Sequence, residues 1–194
     1  MQCLLVAVDG SVVAGTGEGE AVVWGPAGER PLARFDLDGE ARPGRSLALL
    51  GEKLVACCEG WPLALFALGD GRRLRAFRTH PGVATCVEAA PDGSAVASGG
   101  SDRCVRLWSV ASGECEATLA GHEAFISALA WHPAGRRLVS ASADGTARVW
   151  DLGGARTLHV LQGHRGGLRD LALADEGRLL LSAGEDGAVG IWDL

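Results

Sequence analysis

Three sets of residues in this sequence could do proton-transfer chemistry: His80, Ser98 and Asp102; His122, Ser140 and Asp144; His164, Ser182 and Asp186. Every member recurs 42 residues after its counterpart. In a Ser-His-Asp site the imidazole takes the serine proton and the carboxylate orients the imidazole, so that the serine oxygen can attack an acyl group. Two features argue against that chemistry here. A nucleophilic site is built once, whereas this set is built three times, and each copy carries a tryptophan in the same register: Trp108, Trp150 or Trp192. Indole and imidazole N–H groups need acceptors when they are buried, and Ser and Asp supply them. The expectation is a buried structural network in each repeat, with no catalytic residue and no cofactor.

Such a network needs a frame that repeats with it. Trp24, Phe66, Trp108, Trp150 and Trp192 stand at a constant interval of 42 residues, with no insertion or deletion to break the register. Within one period the runs "FISALAW", "RRLVSAS" and "TARVWDL" are separated by "HPAG" and "ADG", and a fourth run, "TLHVLQ", leads into "GH". Each run has strand length and is rich in β-branched or apolar residues, and each is bounded by Gly, Pro or Asp turn chemistry. Four strands per period predict one antiparallel sheet. A sheet of this size cannot bury both faces alone, so successive sheets must stack on one another. The fold class read from the pattern is all-β, a single repeat array over residues 1–194.

Composition narrows the function. The chain is 47% hydrophobic and 22% charged, which suits an ordinary globular protein. A formal charge of −6 gives no general pull toward nucleic-acid phosphate, so direct nucleic-acid contact is not expected. The N-terminal run Met1 to Val8 lacks a basic flank and a cleavage site, and Asp9-Gly10 ends it; it reads as a strand. No apolar stretch approaches the roughly 20 residues of a membrane helix. The cysteines, Cys3, Cys57, Cys58, Cys86, Cys104 and Cys115, are irregularly spaced and read as reduced thiols. No Cys-x-x-Cys pair or grouping of histidines suggests a metal site.

The residues now in hand resemble the WD40 repeat family: a Gly-His pair, a strand, a Pro-x-Gly turn, a strand with Ser, an Asp turn, and Trp-Asp. Gly121-His122 through Trp150-Asp151 and Gly163-His164 through Trp192-Asp193 match throughout, and Thr79-His80 through Trp108-Ser109 differs only in the two dipeptides. The resemblance implies a β-propeller of about five four-stranded blades, and identifies the Asp, His, Ser and Trp sets as the structural tetrad of such blades. The first two repeats depart from the pattern. The second has Asp38, Ala56, Gly60 and Phe66 at the network positions; the first has Ala14, Glu18 and Trp24 and no His position. Propellers of this family usually close by pairing an N-terminal strand with the last blade. The strand count here stops after the third strand of the fifth repeat, so the expectation is an incomplete, open propeller with an unpaired edge at "VGIWDL" that is prone to associate.

The resemblance further implies a non-catalytic protein-interaction scaffold in a multiprotein complex. In the family, partners usually meet the end that carries the loops after the outer and second strands. Exposed aromatic and Arg residues are the usual binding anchors, which selects Trp61, Arg103, Phe125 and Arg165. Arg72, Arg73, Arg75 and Arg78 fall on an outer strand, where edge charge discourages mispairing. Trp131 is expected in the core. The order of the degenerate "LLVAVDGSVVAGTGEGEAVVW" and "KLVACCEGWPLALFAL" before "SAVASGGSDRCVRLWSV" and "RLLLSAGEDGAVGIWDL" is similar to the N-terminal propeller of the transducin-beta-like subunit of the nucleolar small-subunit processome. That similarity implies an RNA-containing pre-rRNA processing complex in the nucleolus. The alternatives are a substrate-recognition or signalling adaptor, such as a ubiquitin-ligase receptor in the cytoplasm, or an accessory propeller of a larger enzyme.

Overall fold

The structure, a computed structural model, describes residues 3–6, 10–16, 20–25, 31–36, 44–58, 62–78 and 80–194. Among these residues there are nineteen β-strands and one 3₁₀ turn, Asp175–Gly177, and no α-helix. All strand pairing is antiparallel and joins neighbours in sequence, so each sheet is a meander.

The chain divides into two compact units, Met1–Thr79 and His80–Leu194. The first holds two sheets. One is formed by β1 (Cys3–Val6), β2 (Val12–Gly15), β3 (Glu20–Trp24) and β4 (Pro31–Asp36), the other by β5 (Gly44–Leu50), β6 (Lys53–Cys58), β7 (Ala64–Ala67) and β8 (Arg73–Ala76). Their facing sides share a core of Val13, Ala21 and Val23 against Leu47, Leu54, Ala56, Ala64 and Phe66. Degenerate as these two repeats are, alternate residues of β3, β6 and β7 still turn to this shared core.

The second unit holds three sheets: β9 (Ala84–Ala89), β10 (Ala95–Gly100), β11 (Val105–Ser109) and β12 (Cys115–Leu119); β13 (Ile126–Trp131), β14 (Arg137–Ser142), β15 (Thr146–Asp151) and β16 (Arg156–Gln162); and β17 (Leu168–Ala174), β18 (Leu179–Gly184) and β19 (Val189–Asp193). The last sheet has three strands, as the strand count of the repeats requires. Ala97, Val105, Leu107 and Leu119 of one sheet pack on Leu129, Trp131, Leu138 and Trp150 of the next. The opposite face of that second sheet, through Ala128, Val139, Ala141, Ala147 and Val149, packs on Leu168 and Leu180 of the third. Alternate residues along one strand therefore serve two different interfaces. Trp131 lies in the core as expected, and its indole N–H donates to the Gly135 carbonyl at 3.1 Å.

Turn chemistry fixes the strand ends. The Pro-x-Gly turn places Gly135 at φ +75°, and the Asp-Gly turns place Gly145 and Gly187 at +83° and +76°, a left-handed backbone that costs glycine little. The equivalent position after Asp102 is Arg103, held at φ +67° without that freedom. A second device recurs between the third and fourth strands. The register shifts by one residue at Val23/Trp24, Leu65/Phe66, Leu107/Trp108 and Val149/Trp150, so four sheets carry a β-bulge at the repeat's aromatic residue. Such a bulge re-aims a side chain, and in the second unit it accompanies an indole that faces the middle of its own sheet.

Candidate functional site

The three Ser, His, Asp and Trp sets come together as bonded networks, one in each sheet of the second unit. In the middle sheet the Trp150 indole N–H donates to Ser140 Oγ at 2.8 Å, Ser140 Oγ lies 2.8 Å from His122 Nε2, and His122 Nδ1 lies 2.8 Å from Asp144. The corresponding distances are 2.8, 2.7 and 2.9 Å for Trp108, Ser98, His80 and Asp102. They are 2.9, 2.8 and 3.0 Å for Trp192, Ser182, His164 and Asp186. With the ring neutral, the indole donates to the serine oxygen, the serine hydroxyl donates to Nε2, and Nδ1–H donates to the carboxylate, which places the ring proton on Nδ1.

Electrostatics agree with that assignment. Burial lowers the pKa of His80 and of His122 below 6.5, outweighing the carboxylate that each faces. Burial opposes the charge on Asp144, but the Glu123 N–H, the Thr146 hydroxyl, the His122 ring and the Thr146 N–H together hold its pKa down at about 2. Asp186 is likewise held at about 2, by the Arg165 N–H first and then by His164 and the Ala188 N–H. Each carboxylate therefore ties the loop bearing His to the turn bearing Asp.

The serine chemistry is closed off. Ser98, Ser140 and Ser182 are buried, and each oxygen already accepts an indole N–H. A nucleophile needs an open approach along an oxygen lone pair, and these three hydroxyls offer none. Among the described residues no group of three or more His, Cys, Asp or Glu side chains is placed to hold a metal ion. Cys86, Cys104 and Cys115 are free thiols, and burial pushes the Cys86 thiol up to about 12.

Some participants carried no signal in the repeat pattern. Arg106 Nη1 donates to Asp102 at 2.6 Å and also approaches His80 Nδ1, which adds a charge that favours the neutral ring. Its counterpart in the next sheet, Arg148, finds the Asp144 carboxylate already bonded by Thr146, and its Nε is buried without a partner. The third counterpart is Gly190. A Cβ there would stand 2.7 Å from Ser182 Oγ and 2.8 Å from Trp192 Nε1. Gly100 and Gly184 make a similar close approach: a Cβ on either would run into the ring of His80 or His164. The sequence did mark those two, since each is a glycine two residues before a network Asp.

The binding candidates fall at one end of the second unit. Phe125 is exposed in the loop after Gly121-His122, Arg165 follows His164, and Arg103 follows Asp102. The loops at this end touch one another: a Cβ on Gly145 would lie 3.2 Å from the Gly166 carbonyl. Neither Arg103 nor Arg165 forms an ion pair with a described residue. Trp61, Glu18, Asp38 and Gly60 lie outside the described residues. Arg73 and Arg75 are on β8, the outer strand of its sheet, with Arg72 and Arg78 flanking it. No helix among the described residues is long and apolar enough to cross a membrane.

Comparison with known proteins fits these networks. The family described as WD domain, G-beta repeat matches residues 71–109, 113–151 and 155–193, more than half of the chain. The protein groucho of Drosophila melanogaster is 30% identical over 93 residues, 47% of this chain and 13% of its own length. The human WD repeat-containing protein 86 is 39% identical over 59 residues, 30% of this chain and 16% of its own length. The chain thus corresponds to a small part of each of these relatives. Three consecutive family matches, each ending one residue past a tryptophan bonded to a buried serine, place the chain in the WD40 repeat family.

Proposed function

We propose that this protein is a non-catalytic scaffold that binds other proteins through the loop end of its second unit. One observation carries the reading: the buried networks occupy the serine, histidine and aspartate groups that could react, while the loops they brace present Phe125, Arg165 and Arg103 outward. Arg103 adds a specific detail. Its left-handed backbone costs on the order of 1 kcal/mol that the glycines at the two equivalent turns avoid, and strain of this kind concentrates where a side chain is used. A flat or acidic protein surface would complement two guanidinium groups that form no ion pair with a described residue, together with an aromatic ring.

For the complex itself we infer the nucleolar small-subunit processome, on the motif order in the first two repeats and their separation from three regular ones. A substrate-recognition or signalling adaptor is the competing assignment. Affinity purification of the tagged chain from cells, followed by identification of bound proteins and RNA, separates them. Recovery of pre-rRNA processing proteins with U3 RNA supports the processome, and a ligase or signalling set replaces it. Phe125→Ala with Arg165→Ala should reduce recovery at least tenfold with the unfolding midpoint unchanged. Undiminished recovery would move the interface elsewhere.

A further inference from the structure

Arg148 carries a positive charge that its own sheet leaves uncompensated. It lies on β15 at the register position of Arg106 and shares a face with Trp150, toward the sheet of β9 to β12. Arg106 has a counter-charge, since its Nη1 donates to Asp102 Oδ2 at 2.6 Å. Arg148 forms neither an ion pair nor a hydrogen bond with a described side chain, although Asp144 stands where Asp102 stands.

One residue makes the difference. Thr146 takes the place of Cys104, and its N–H and hydroxyl donate to Asp144 Oδ1 at 2.9 and 2.7 Å. Oδ2 accepts from His122 at 2.8 Å and from the Glu123 N–H at 2.9 Å. Four donors fill a carboxylate, so Arg148 finds no vacant lone pair there. In the earlier sheet Asp102 Oδ1 accepts from His80 and from the Cys104 N–H, at 3.4 Å, which leaves Oδ2 to Arg106.

The Arg148 guanidinium lies instead against the chain at Gly121, where a Cβ would stand 2.8 Å from Nη1 and 3.3 Å from Cζ. Nε is buried with no acceptor, while the terminal nitrogens stay open to solvent. Ala120 and Gly121 are exposed and too small to cover them, and the register sets Val160, 40% exposed, beside Arg148 on the outer strand. A half-buried cation with part of its water removed and no counter-charge favours an anion at its open end. We propose that Arg148 receives the carboxylate of an aspartate or glutamate on the protein that docks at the loop end, with Val160 meeting an apolar neighbour of that residue. The site begins the loop that carries Phe125, so it rests on the loop-end reading for its partner. One guanidinium balances one negative charge. Asp144 close by, Glu123 next along the loop and the net charge of −6 all oppose a phosphate, which carries nearly two. Thr146 is then a positioning residue that keeps Arg148 available.

An NMR titration of the whole chain at low salt with the blocked peptide acetyl-Ala-Val-Glu-Val-Ala-amide tests the proposal. The expected result is a saturable shift of the Gly121 amide and the Arg148 Nε–H, with roughly tenfold tighter binding than the same peptide bearing Gln for Glu. Arg148→Met should remove that preference. Thr146→Cys, which frees a lone pair of Asp144 for Arg148 and leaves the guanidinium in the chain, should weaken the Glu peptide by about the same factor. Equal response to the Glu and Gln peptides, tighter binding of a phosphoserine peptide, or a Thr146→Cys protein that binds like the parent would each overturn it. A Glu-selective response at Arg148 together with partner recovery indifferent to Phe125→Ala and Arg165→Ala would uphold this site and refute the loop-end interface; the reverse pattern would refute this site alone.

Discussion

Replacing Ser140 by alanine removes one oxygen and strands two partners. The Trp150 indole N–H loses its only acceptor in the network, at 2.8 Å, and His122 Nε2 loses its donor, at 2.8 Å. Trp150 is buried among Leu129, Leu138 and Leu119, and His122 is buried beside Ser140, where water cannot replace the hydroxyl. An orphaned buried donor or acceptor costs roughly 1–3 kcal/mol, and the alanine leaves almost no cavity, so the expected loss from two such groups is about 2–6 kcal/mol. A control isolates the cause. In a Trp150→Phe background the indole N–H is absent, so Ser140→Ala strands only the imidazole and should cost about 1–3 kcal/mol less than in the parent chain. Urea unfolding of the four proteins in this cycle gives both numbers. A loss below about 0.5 kcal/mol, or an equal loss in both backgrounds, would refute the network as a source of stability. An unchanged midpoint together with loss of an ester-hydrolysing activity would reinstate serine chemistry.

Two pH effects of opposite sign follow. Burial pushes the Glu88 carboxyl up to about 7 from 4.5; the folded state then holds the extra proton between those values, and stability falls as pH rises through that window. Glu88→Gln should abolish that fall and gain on the order of 2–3 kcal/mol over the parent at pH 8 relative to pH 4, whereas a pH-independent difference in urea midpoint would contradict it. His80 and His122 titrate below 6.5 when folded, so the unfolded chain takes up protons first and stability declines as pH drops below 6.5. Asp144, at about 2 against 3.8, adds a further decline as pH falls below 3.8. Both declines are best read in the Glu88→Gln variant, and a flat profile from pH 7 to 3 there would count against the neutral-ring assignment.

The frame and the networks were legible in the sequence because both repeat. A strict period turns a spacing into a register, so His122, Ser140, Asp144 and Trp150 could be placed together without coordinates, and the Gly and Pro punctuation fixed the strand ends. What varies between repeats was not legible. Arg106, Arg148 and Gly190 share a register position yet meet three different surroundings, because Thr146 takes the carboxylate in one sheet and Ser182 and Trp192 crowd the position in another. The bulge before Trp108 and Trp150 was also hidden, since one extra residue on the partner strand looks like ordinary turn length. Partner choice was not legible for a deeper reason: Phe125 has Val83 and Gly167 at its counterparts, and a position free to vary carries no pattern.

The unbroken period has a consequence for how such a chain can change in length. In the second unit one face of the middle sheet meets the sheet before it and the other face meets the sheet after it, and both contacts are built from the same register positions. The junctions are therefore interchangeable parts. Copying or excising one whole period leaves every remaining surface facing a surface it already fits, whereas removing an odd number of residues within a strand inverts the faces of the residues beyond it. Duplication in whole units is the route of growth this architecture tolerates.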